Sequence, residues 1–424
     1  MARQGGGRST PMNRSVFAAF LLLSLVALPA FGGGINPDIV VNVTTDGADP
    51  SPDNSICENG LGGCTLRAAI QTANARAGAD RVVLGQGIYL LTIKRDLELA
   101  DEQTGDLDVT SDITVVGQGD TLPCKEGVGC TAIDGKKGKD RIFDVTEDGD
   151  LSLSNLIVRN GSAKKGDFNP TQIEEISGGC ILVEGTLALD DVTVTGCKSP
   201  DDGGCIGVTL ASATIQDTFL DRCKTKDAGG GIEVDSGSIE LNRVTIANSK
   251  ASDEGGGIET SGGELDLRNV TFSRNKAKQG GALATEDDGS VTVNNATFFD
   301  NKASEGAGIF ADPDTQVDPV NVSNSLLRTP KENNCLGAVV SQGGNLENGD
   351  GCPFVQVTDC SDCFPAIIDD LEDNGGAIPT HGLEDFSEAI NNGVNGTCEA
   401  TDARLALRSG VCDSGAFEFG GIVP

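Results

Sequence analysis

The chain has 424 residues, of which 58 are glycine; aromatic residues make up only 4% of it and tryptophan is absent. This composition favours repeated tight turns over a bulky core. The formal charge of -33 excludes a general nucleic-acid binder and a protein that docks on anionic membranes. Hydrophobic residues still make up 38%, in short alternating runs, which excludes a disordered acidic chain.

The N-terminus has the pattern of a secretory signal peptide. Three arginines precede the uncharged apolar run from Val16 to Leu28, and Ala30 and Gly32 are small residues suited to cleavage. The run is too short to cross a bilayer as a helix. The sequence therefore predicts a signal peptide at residues 1–32. The mature chain is expected to be secreted or associated with the cell surface or outer membrane, without a transmembrane segment.

Residues 33–140 are predicted to form an N-terminal cap and the first strands of the fold. Thr65 is suited to cap a helix that ends at Gly78 and has one apolar face. Such a helix would cover the open end of a stack of strands. The apolar face comprises Leu66, Ala69, Ile70, Ala73 and Ala77. Strand-like segments lie at residues 80–84, 88–93, 113–116, 141–145 and 151–158.

Residues 141–330 contain an internal repeat of 25 or 26 residues. A period in this range is typical of stacked repeats. The segment 160–177 interrupts the period and is predicted to be a protruding loop. One column of equivalent residues is Ile181, Ile206, Ile232, Ile258, Leu283 and Ile309, and a second is Val192, Thr218, Val244, Val270 and Ala296.

Each repeat has the pattern of two short strands joined by a bend. Ile239 and Leu241 share one face, and Val244 and Ile246 share it after a two-residue change of phase. No helical segment separates the strands, which excludes a βαβ sheet, and the period is too short for a propeller blade of about 40 residues. The sequence predicts an all-β fold, a right-handed parallel β-helix, with handedness taken from the general rule for parallel crossovers.

The 14 cysteines are an even number, which in an exported chain predicts disulfides. Cys180 and Cys205 are one period apart, as are Cys197 and Cys223. Stacking would place each pair about 4.8 Å apart, so we predict these two bridges between adjacent turns. Free thiols stacked as small hydrophobic residues are the alternative.

The remaining cysteines fall into pairs that are close in sequence. Zinc is the competing interpretation at Cys360 and Cys363, but a second pair with this spacing is missing and His381 is the one histidine. Disulfides are therefore favoured, and six cysteines define a disulfide-bearing C-terminal region at residues 331–424. The neighbouring pairs are Cys57 and Cys64, Cys124 and Cys130, Cys335 and Cys352, Cys360 and Cys363, and Cys398 and Cys412.

Five lysines recur at steps of 26 residues, next to acidic residues in the same turns. In a β-helix they would form a ladder of like charges along one side. One interpretation is turn solvation with local salt bridges, each worth under about 1 kcal/mol. The other is a linear binding site for an acidic polymer such as polygalacturonate. The ladder consists of Lys198, Lys224, Lys250, Lys276 and Lys302.

The bend before the second strand carries Asp191, Asp217, Arg243, Asn269 and Asn295 in successive repeats. Two carboxylates on adjacent turns would lie about 5 Å apart, near the spacing of a retaining glycosidase pair, and the arginine could bind a substrate carboxylate. The continuation as asparagine favours a structural column, because Asn and Asp satisfy backbone groups in turns. The first three residues are therefore weak catalytic candidates.

Three stretches resemble modules of bacterial surface proteins. Cys64-Thr-Leu-Arg-Ala-Ala-Ile70 resembles the CSLREA domain, with Thr65 and Ala68 in place of its Ser and Glu. The C-terminal region is similar to the choice-of-anchor Q region, and the repeats are similar to those of polymorphic outer-membrane proteins. The C-terminal motifs are Gly343-Gly-Asn-Leu346, Asp373-Asn-Gly-Gly376, Thr380-His-Gly-Leu383, Ala389-Ile390 and Cys412-Asp-Ser-Gly-Ala-Phe-Glu418; the repeat motifs are Gly280-Gly-Ala-Leu283, Phe272-Ser-Arg-Asn275 and Phe298-Phe-Asp-Asn301.

The resemblance implies an exported, adhesin-like protein with no established chemistry. We expect it to bind a polysaccharide or another surface ligand without catalysis. The alternatives are a polysaccharide lyase or glycoside hydrolase on the same scaffold, and a structural surface-layer component. A sugar-cleaving enzyme would be expected to offer stacking aromatics, and the chain has one tyrosine. No cofactor is predicted; the acidity would accommodate calcium, although no EF-hand loop or GGxGxD run is present.

Overall fold

A computed structural model describes residues 36–96, 103–119, 129–164, 177–287, 289–313, 318–330, 333–364, 367 and 370–424. The predicted signal peptide lies outside these residues. Ile35–Pro424 form one compact unit. Across the described part of the chain, no helix is long and apolar enough to span a membrane.

The secondary structure is almost entirely β. Within the described residues the sole α-helix is α1 (Leu66–Ala75), preceded by a 3-10 turn at Pro52–Asn54. The strands are β1 (Ile39–Val41), β2 (Asp80–Leu84), β3 (Gly87–Leu90), β4 (Leu107–Val109), β5 (Asp112–Gly117), β6 (Thr131–Asp134), β7 (Phe143–Val145), β8 (Asp150–Arg159), β9 (Ile181–Val183), β10 (Thr186–Thr195), β11 (Ile206–Thr209), β12 (Ser212–Asp221), β13 (Ile232–Asp235), β14 (Ser238–Ala247), β15 (Ile258–Ser261), β16 (Glu264–Ser273), β17 (Leu283–Glu286), β18 (Ser290–Asn294), β19 (Thr297–Phe299), β20 (Ile309–Ala311), β21 (Val320–Ser323), β22 (Leu326–Arg328), β23 (Cys335–Leu336), β24 (Val339–Gly343) and β25 (Leu346–Glu347).

The strands form two parallel sheets that wind around one core. Sheet B contains β4, β7, β9, β11, β13, β15, β17, β20 and β23, and sheet A contains the other sixteen strands. Each turn of the coil contributes one short strand to sheet B and one long, bent strand or strand pair to sheet A. The fold is a right-handed parallel β-helix, as the repeat predicts. The coil begins upstream of the repeat, at β1, and continues past residue 330 to β25.

The stacking of equivalent residues confirms the predicted columns. Ile232 pairs with Ile206 on one side and Ile258 on the other, and Val244 pairs with Thr218 and Val270. The apolar members belong to one continuous buried core that runs along the coil, and Thr218 is buried with them. Leu156 pairs with Val192, so the interrupting segment between them leaves the register intact. The loop predicted at 160–177 lies mostly outside the described residues.

The N-terminal helix is a cap, as predicted. The Thr65 side chain accepts a hydrogen bond from the Ala68 amide, and α1 packs against β1, β2, β4 and β5. Ile70 and Ala73 join the main core. Buried Arg67 pairs with Asp46 at 3.0 Å. The helix ends earlier than predicted, at Ala75.

The predicted bridges between adjacent turns are wrong. Cys180 bonds Cys197, and Cys205 bonds Cys223, so each disulfide lies within one turn. Residues one period apart do stack, but Cys180 and Cys197 are both buried in the core and lie close to each other within the same turn. Their Cα atoms are 5.5 Å apart, which suits a bridge as well as the stacking distance does.

The neighbouring pairs are confirmed where the structure describes both cysteines. Cys360 and Cys363 are disulfide-bonded, which leaves no thiolate for the alternative zinc site. Cys124 lies outside the described residues. The confirmed bridges are Cys57–Cys64, Cys335–Cys352, Cys360–Cys363 and Cys398–Cys412.

After β25 the chain folds back along sheet A. Thr245 donates to the Pro379 carbonyl at 2.8 Å, and Asn269 donates to the Thr401 carbonyl at 3.1 Å. His381 is buried against Phe299, with 4.2 Å between ring centroids, and its Nε2 lies 2.9 Å from the Ser273 hydroxyl. We name residues 370–424 the C-terminal segment.

Candidate functional site

The five predicted ladder lysines lie side by side on the turns that lead from sheet A back to sheet B. Isolated parallel bridges join each one to the next. The spacing between turns is therefore that of adjacent strands, about 4.8 Å. All five side chains are exposed. We call Lys198, Lys224, Lys250, Lys276 and Lys302 the lysine row.

Shallow depressions accompany the lysine row. A cavity of about 520 Å³ lies over its first three members and is also lined by Pro200, Thr225 and Lys226. A second, of about 320 Å³, lies over its last two members. Lys302 pairs with Asp300 at 3.1 Å. The other four lysines make no salt bridge with any residue that the structure describes, so most of the row is not the set of local ion pairs considered above.

The acidic residues next to the row in sequence turn toward a different surface. Three of them, Asp202, Asp227 and Glu254, help to line a depression of about 400 Å³ on the outer face of sheet B, which we call the acidic groove. Its lining contains eight carboxylates and no basic residue. The groove is lined by Asp202, Asp227, Ala228, Glu233, Asp235, Ser236, Glu254, Glu259, Ser261, Gly262, Glu286 and Asp287.

Two glutamates of the groove are buried although they point away from the core. Glu233 and Glu259 pair with each other across β13 and β15, and each is 3% exposed. The preceding turns cover them: Gly255, at φ +58, is so close that an added Cβ would meet the Glu259 Cβ at 2.5 Å. Only glycine gives the chain that left-handed conformation and that approach together. Gly229 covers Glu233 in the same way.

Burial and like charge alter the protonation of this surface. Burial, followed by repulsion from Glu233 and Glu286, raises the pKa of Glu259 well above its ordinary value. Burial, followed by Glu286, raises the pKa of Glu254 to about 7. Burial, together with Asp201 and Asp253, also raises the pKa of Asp227. The groove therefore holds protonated carboxyls beside ionised ones near neutral pH.

Sequence reasoning missed the groove. A signal was present, because Glu233 and Glu259 each stand between two core residues of a short strand, where the pattern places an outward side chain. An outward position is ordinarily exposed to solvent, but the covering turns bury these two side chains. The carboxylate oxygens of Asp201, Asp202 and Asp227 lie within 4.8 Å of one another, which is the spacing of a potential cation site.

The residues predicted at the bend before the second strand do lie at equivalent bends of successive turns, and we call them the bend column. Its members adopt left-handed backbone conformations, with φ of 53° at Asp191 and 47° at Asp217. Arg243 donates from Nε and Nη2 to the two carboxylate oxygens of Asp217 at 2.8 and 2.7 Å. This hydrogen bond raises the pKa of Arg243. A substrate carboxylate would have to displace Asp217 from Arg243, and the catalytic role considered for Asp191, Asp217 and Arg243 stays a prediction.

The asparagine members of the column lie under the C-terminal segment. Asn295 is fully buried; its oxygen accepts from the Glu399 amide at 2.9 Å, and its nitrogen donates to the Asp413 and Gly415 carbonyls at 3.4 Å. Asn269 accepts from Arg408 at 3.1 Å. These amides satisfy backbone and side-chain groups, which is the structural role that the sequence pattern favours.

Comparison with known protein families agrees with this architecture. A family model described as a right-handed β-helix region matches residues 179–361. No curated protein matches the chain. Among solved structures, the crystal structure of pectate lyase Pel9A is similar with a TM-score of 0.41 and 12% identity, over 91% of this chain and 97% of that one.

Proposed function

We propose that this chain is an exported, non-catalytic β-helix protein that binds an anionic polysaccharide along the lysine row. The observation that carries this proposal is the stacking of five exposed lysines at intervals of one turn, four of them without a salt bridge in the described structure. A polymer with one acidic group on each sugar could contact successive lysines. Because the chain as a whole has a charge of -33, most of its surface would repel such a polymer, and the row would set where it binds.

The disulfides support the part of this proposal that concerns export. The disulfides require an oxidising compartment to form and persist. The N-terminal signal pattern and the resemblance to CSLREA and choice-of-anchor Q proteins point the same way.

The test is retention of the purified chain on immobilised polygalacturonate. Lys198→Gln, Lys224→Gln and Lys250→Gln together should weaken retention about tenfold, since each lost exposed contact is worth about 0.5 kcal/mol. Retention by the native chain should also fall as salt is raised. The matched control replaces three exposed lysines elsewhere, Lys94, Lys136 and Lys137, by glutamine and should bind as the native chain does. Equal retention of both triple variants would overturn the proposal.

A second candidate function is polysaccharide cleavage. Its support is the acidic groove, where a carboxyl group with its pKa raised to about 7 lies beside ionised carboxylates, as general acid–base catalysis requires. The retention assay distinguishes the two functions if newly released sugar ends are counted in the same samples. Release of sugar ends by the native chain that Glu254→Gln abolishes would establish cleavage. Retention of the protein without any release of sugar ends would support binding. Self-association without retention would favour a structural surface-layer component.

A further inference from the structure

The disulfide between Cys360 and Cys363 differs from the other bridges in its access to solvent. Both of its cysteines are partly exposed, and the two residues between them, Ser361 and Asp362, are exposed. In every other bridge that the structure describes in full, at least one cysteine is buried. A thiol reductant must reach one of the two sulfurs, so access favours reduction of this bridge before the others.

The same bridge also closes the shortest loop among the described disulfides. Its cysteines are 3 residues apart in sequence, whereas the other described bridges join cysteines 7 to 18 residues apart. A disulfide that closes a short loop restricts the unfolded chain least, so its loss destabilises the fold least. Opening of this bridge should therefore leave the coil folded, and the effect should be local.

The bridge lies where the end of the coil meets the C-terminal segment. Cys360 forms an isolated parallel bridge with Leu346 of β25, and the Cys363 amide donates to the Glu347 carbonyl at 3.0 Å. Both cysteines pack against an apolar cluster that is separate from the main core and joins the coil to the C-terminal segment. The cluster contains Phe299, Leu326 and Leu346 of the coil and Leu383 and Ala389 of the C-terminal segment.

Phe364, directly after the bridge, also contacts the C-terminal segment. Its amide donates to the Glu388 carboxylate, and its carbonyl accepts from the Glu388 amide at 3.5 Å. Its ring lies nearly parallel to that of Phe386, with 6.3 Å between the centroids. A movement of the turn at residues 360–363 would therefore disturb these contacts directly.

We propose that the disulfide between Cys360 and Cys363 is a redox switch that sets how firmly residues 383–390 dock on the coil. The co-reactant is a dithiol. One of its thiolates attacks a sulfur of the bridge, and its second thiol then displaces the mixed disulfide, so that two cysteine thiols form and the dithiol is oxidised to a disulfide. Without its covalent closure, the turn supports the apolar cluster less firmly. The switch does not depend on the lysine row binding a polysaccharide.

The test combines stepwise reduction of the full chain by dithiothreitol with amide hydrogen exchange. New thiols are alkylated and located by peptide mass spectrometry. Cys360 and Cys363 should be labelled at a reductant concentration about tenfold below the one that opens any other described bridge. At that concentration, exchange of the amides of residues 387–390 should become about tenfold faster, while β13 and β15 exchange as in the oxidised chain.

Two variants separate the bridge from the turn that carries it. Cys360→Ser together with Cys363→Ser should show the faster exchange without reductant and no further change when dithiothreitol is added. Asp362→Asn is the matched control: it alters the same turn, keeps the bridge and retains the positive φ of this residue, so its exchange should match that of the native chain.

Three outcomes would overturn the proposal. They are the opening of another described bridge at the same reductant concentration, unchanged exchange at residues 387–390 once Cys360 and Cys363 are reduced, and equally fast exchange in Asp362→Asn. If the double serine variant does not fold, labelling and exchange of the native chain still decide the question, because neither needs a variant.

Discussion

The bend residues show how one backbone requirement leaves the side chain free to serve different neighbours. Seven consecutive bends adopt positive φ and none is glycine. Asn and Asp tolerate this conformation with the least penalty among residues with a Cβ. Arg243 is the exception, and its ion pair with Asp217 of the preceding turn helps to hold it there. The column consists of Asn155, Asp191, Asp217, Arg243, Asn269, Asn295 and Asn324.

A single buried carboxyl near the N-terminal cap should make stability depend on pH. Burial, followed by repulsion from Asp144, raises the pKa of Asp106 from 3.8 to about 6. The folded chain therefore retains this proton when the unfolded chain has lost it, and the free energy of unfolding falls as pH rises from about 4 to about 6. In Asp106→Asn this dependence is absent. Its stability relative to the native chain should rise by up to about 3 kcal/mol between pH 4 and pH 8.

Urea denaturation at a series of pH values measures this difference. Asp148→Asn, at an exposed position, is the control and should differ from the native chain by the same amount at every pH. A difference for Asp106→Asn that does not change with pH would show that the Asp106 carboxyl titrates alike in the folded and unfolded chains.

At the scale of one turn, the period predicts which residues stack but not which side chains face each other across the core. Stacked columns such as Ile232 and Ile258 follow directly from counting 26 residues. The disulfide partner of Cys205 does not follow from the period. Cys180 stacks on Cys205, but Cys223 of the same turn forms the bond with it. The burial of Glu259 also escaped the pattern, since it depends on how closely the turn at Gly255 passes over it.

In later turns an asparagine stands at the position that the disulfide-bonded Cys223 occupies. Asn275 and Asn301 occupy the places equivalent to Cys223, one and two turns beyond Ser249. Asn275 is fully buried, accepts from the Ser249 amide at 2.9 Å and donates to the Ile246 carbonyl at 2.8 Å. Asn301 repeats the arrangement with the Asn275 amide and the Phe272 carbonyl. The same bend is thus stabilised by a disulfide in two turns and by an amide ladder in others.

Asn275→Ala should be strongly destabilising. It leaves a backbone amide and a backbone carbonyl unpaired in the core, each costing about 1–3 kcal/mol, so a loss of about 2–6 kcal/mol is expected. Thr214→Ala, at an exposed position of β12, should change stability by no more than about 0.5 kcal/mol. Chemical denaturation of the two variants measures both values, and a loss below 1 kcal/mol for Asn275→Ala would mean that water or a backbone shift replaces the amide.

At the scale of the whole molecule, the return of the C-terminal segment over sheet A is the feature least visible in the sequence. The segment has no repeat, so periodicity says nothing about where it packs. Its contacts with the coil join residues more than a hundred positions apart, such as Asn295 with Glu399 and Ser273 with His381. In retrospect the change from Asp to Asn along the bend column marks its path, because covered bends need neutral side chains that can both donate and accept hydrogen bonds.

That interpretation predicts that a negative charge at a covered bend releases the segment. Asn295→Asp retains the backbone conformation, since Asp191 and Asp217 adopt it in the same column. It loses the two donated hydrogen bonds and buries a charge beside the Asp413 carbonyl, at a cost of about 3 kcal/mol. Amide hydrogen exchange over residues 399–415 should become faster by on the order of a hundredfold, while β13 and β15 exchange as in the native chain.

Asn155→Asp is the matched control for that charge. It is the same substitution at the same type of bend, also with positive φ, but its side chain is exposed. Because water solvates the new carboxylate there, exchange in the C-terminal segment should stay at the native rate. Faster exchange in both variants would attribute the effect to the bend itself. Native exchange in Asn295→Asp would mean that the segment remains docked without the Asn295 hydrogen bonds, through contacts such as those of His381 and Arg408.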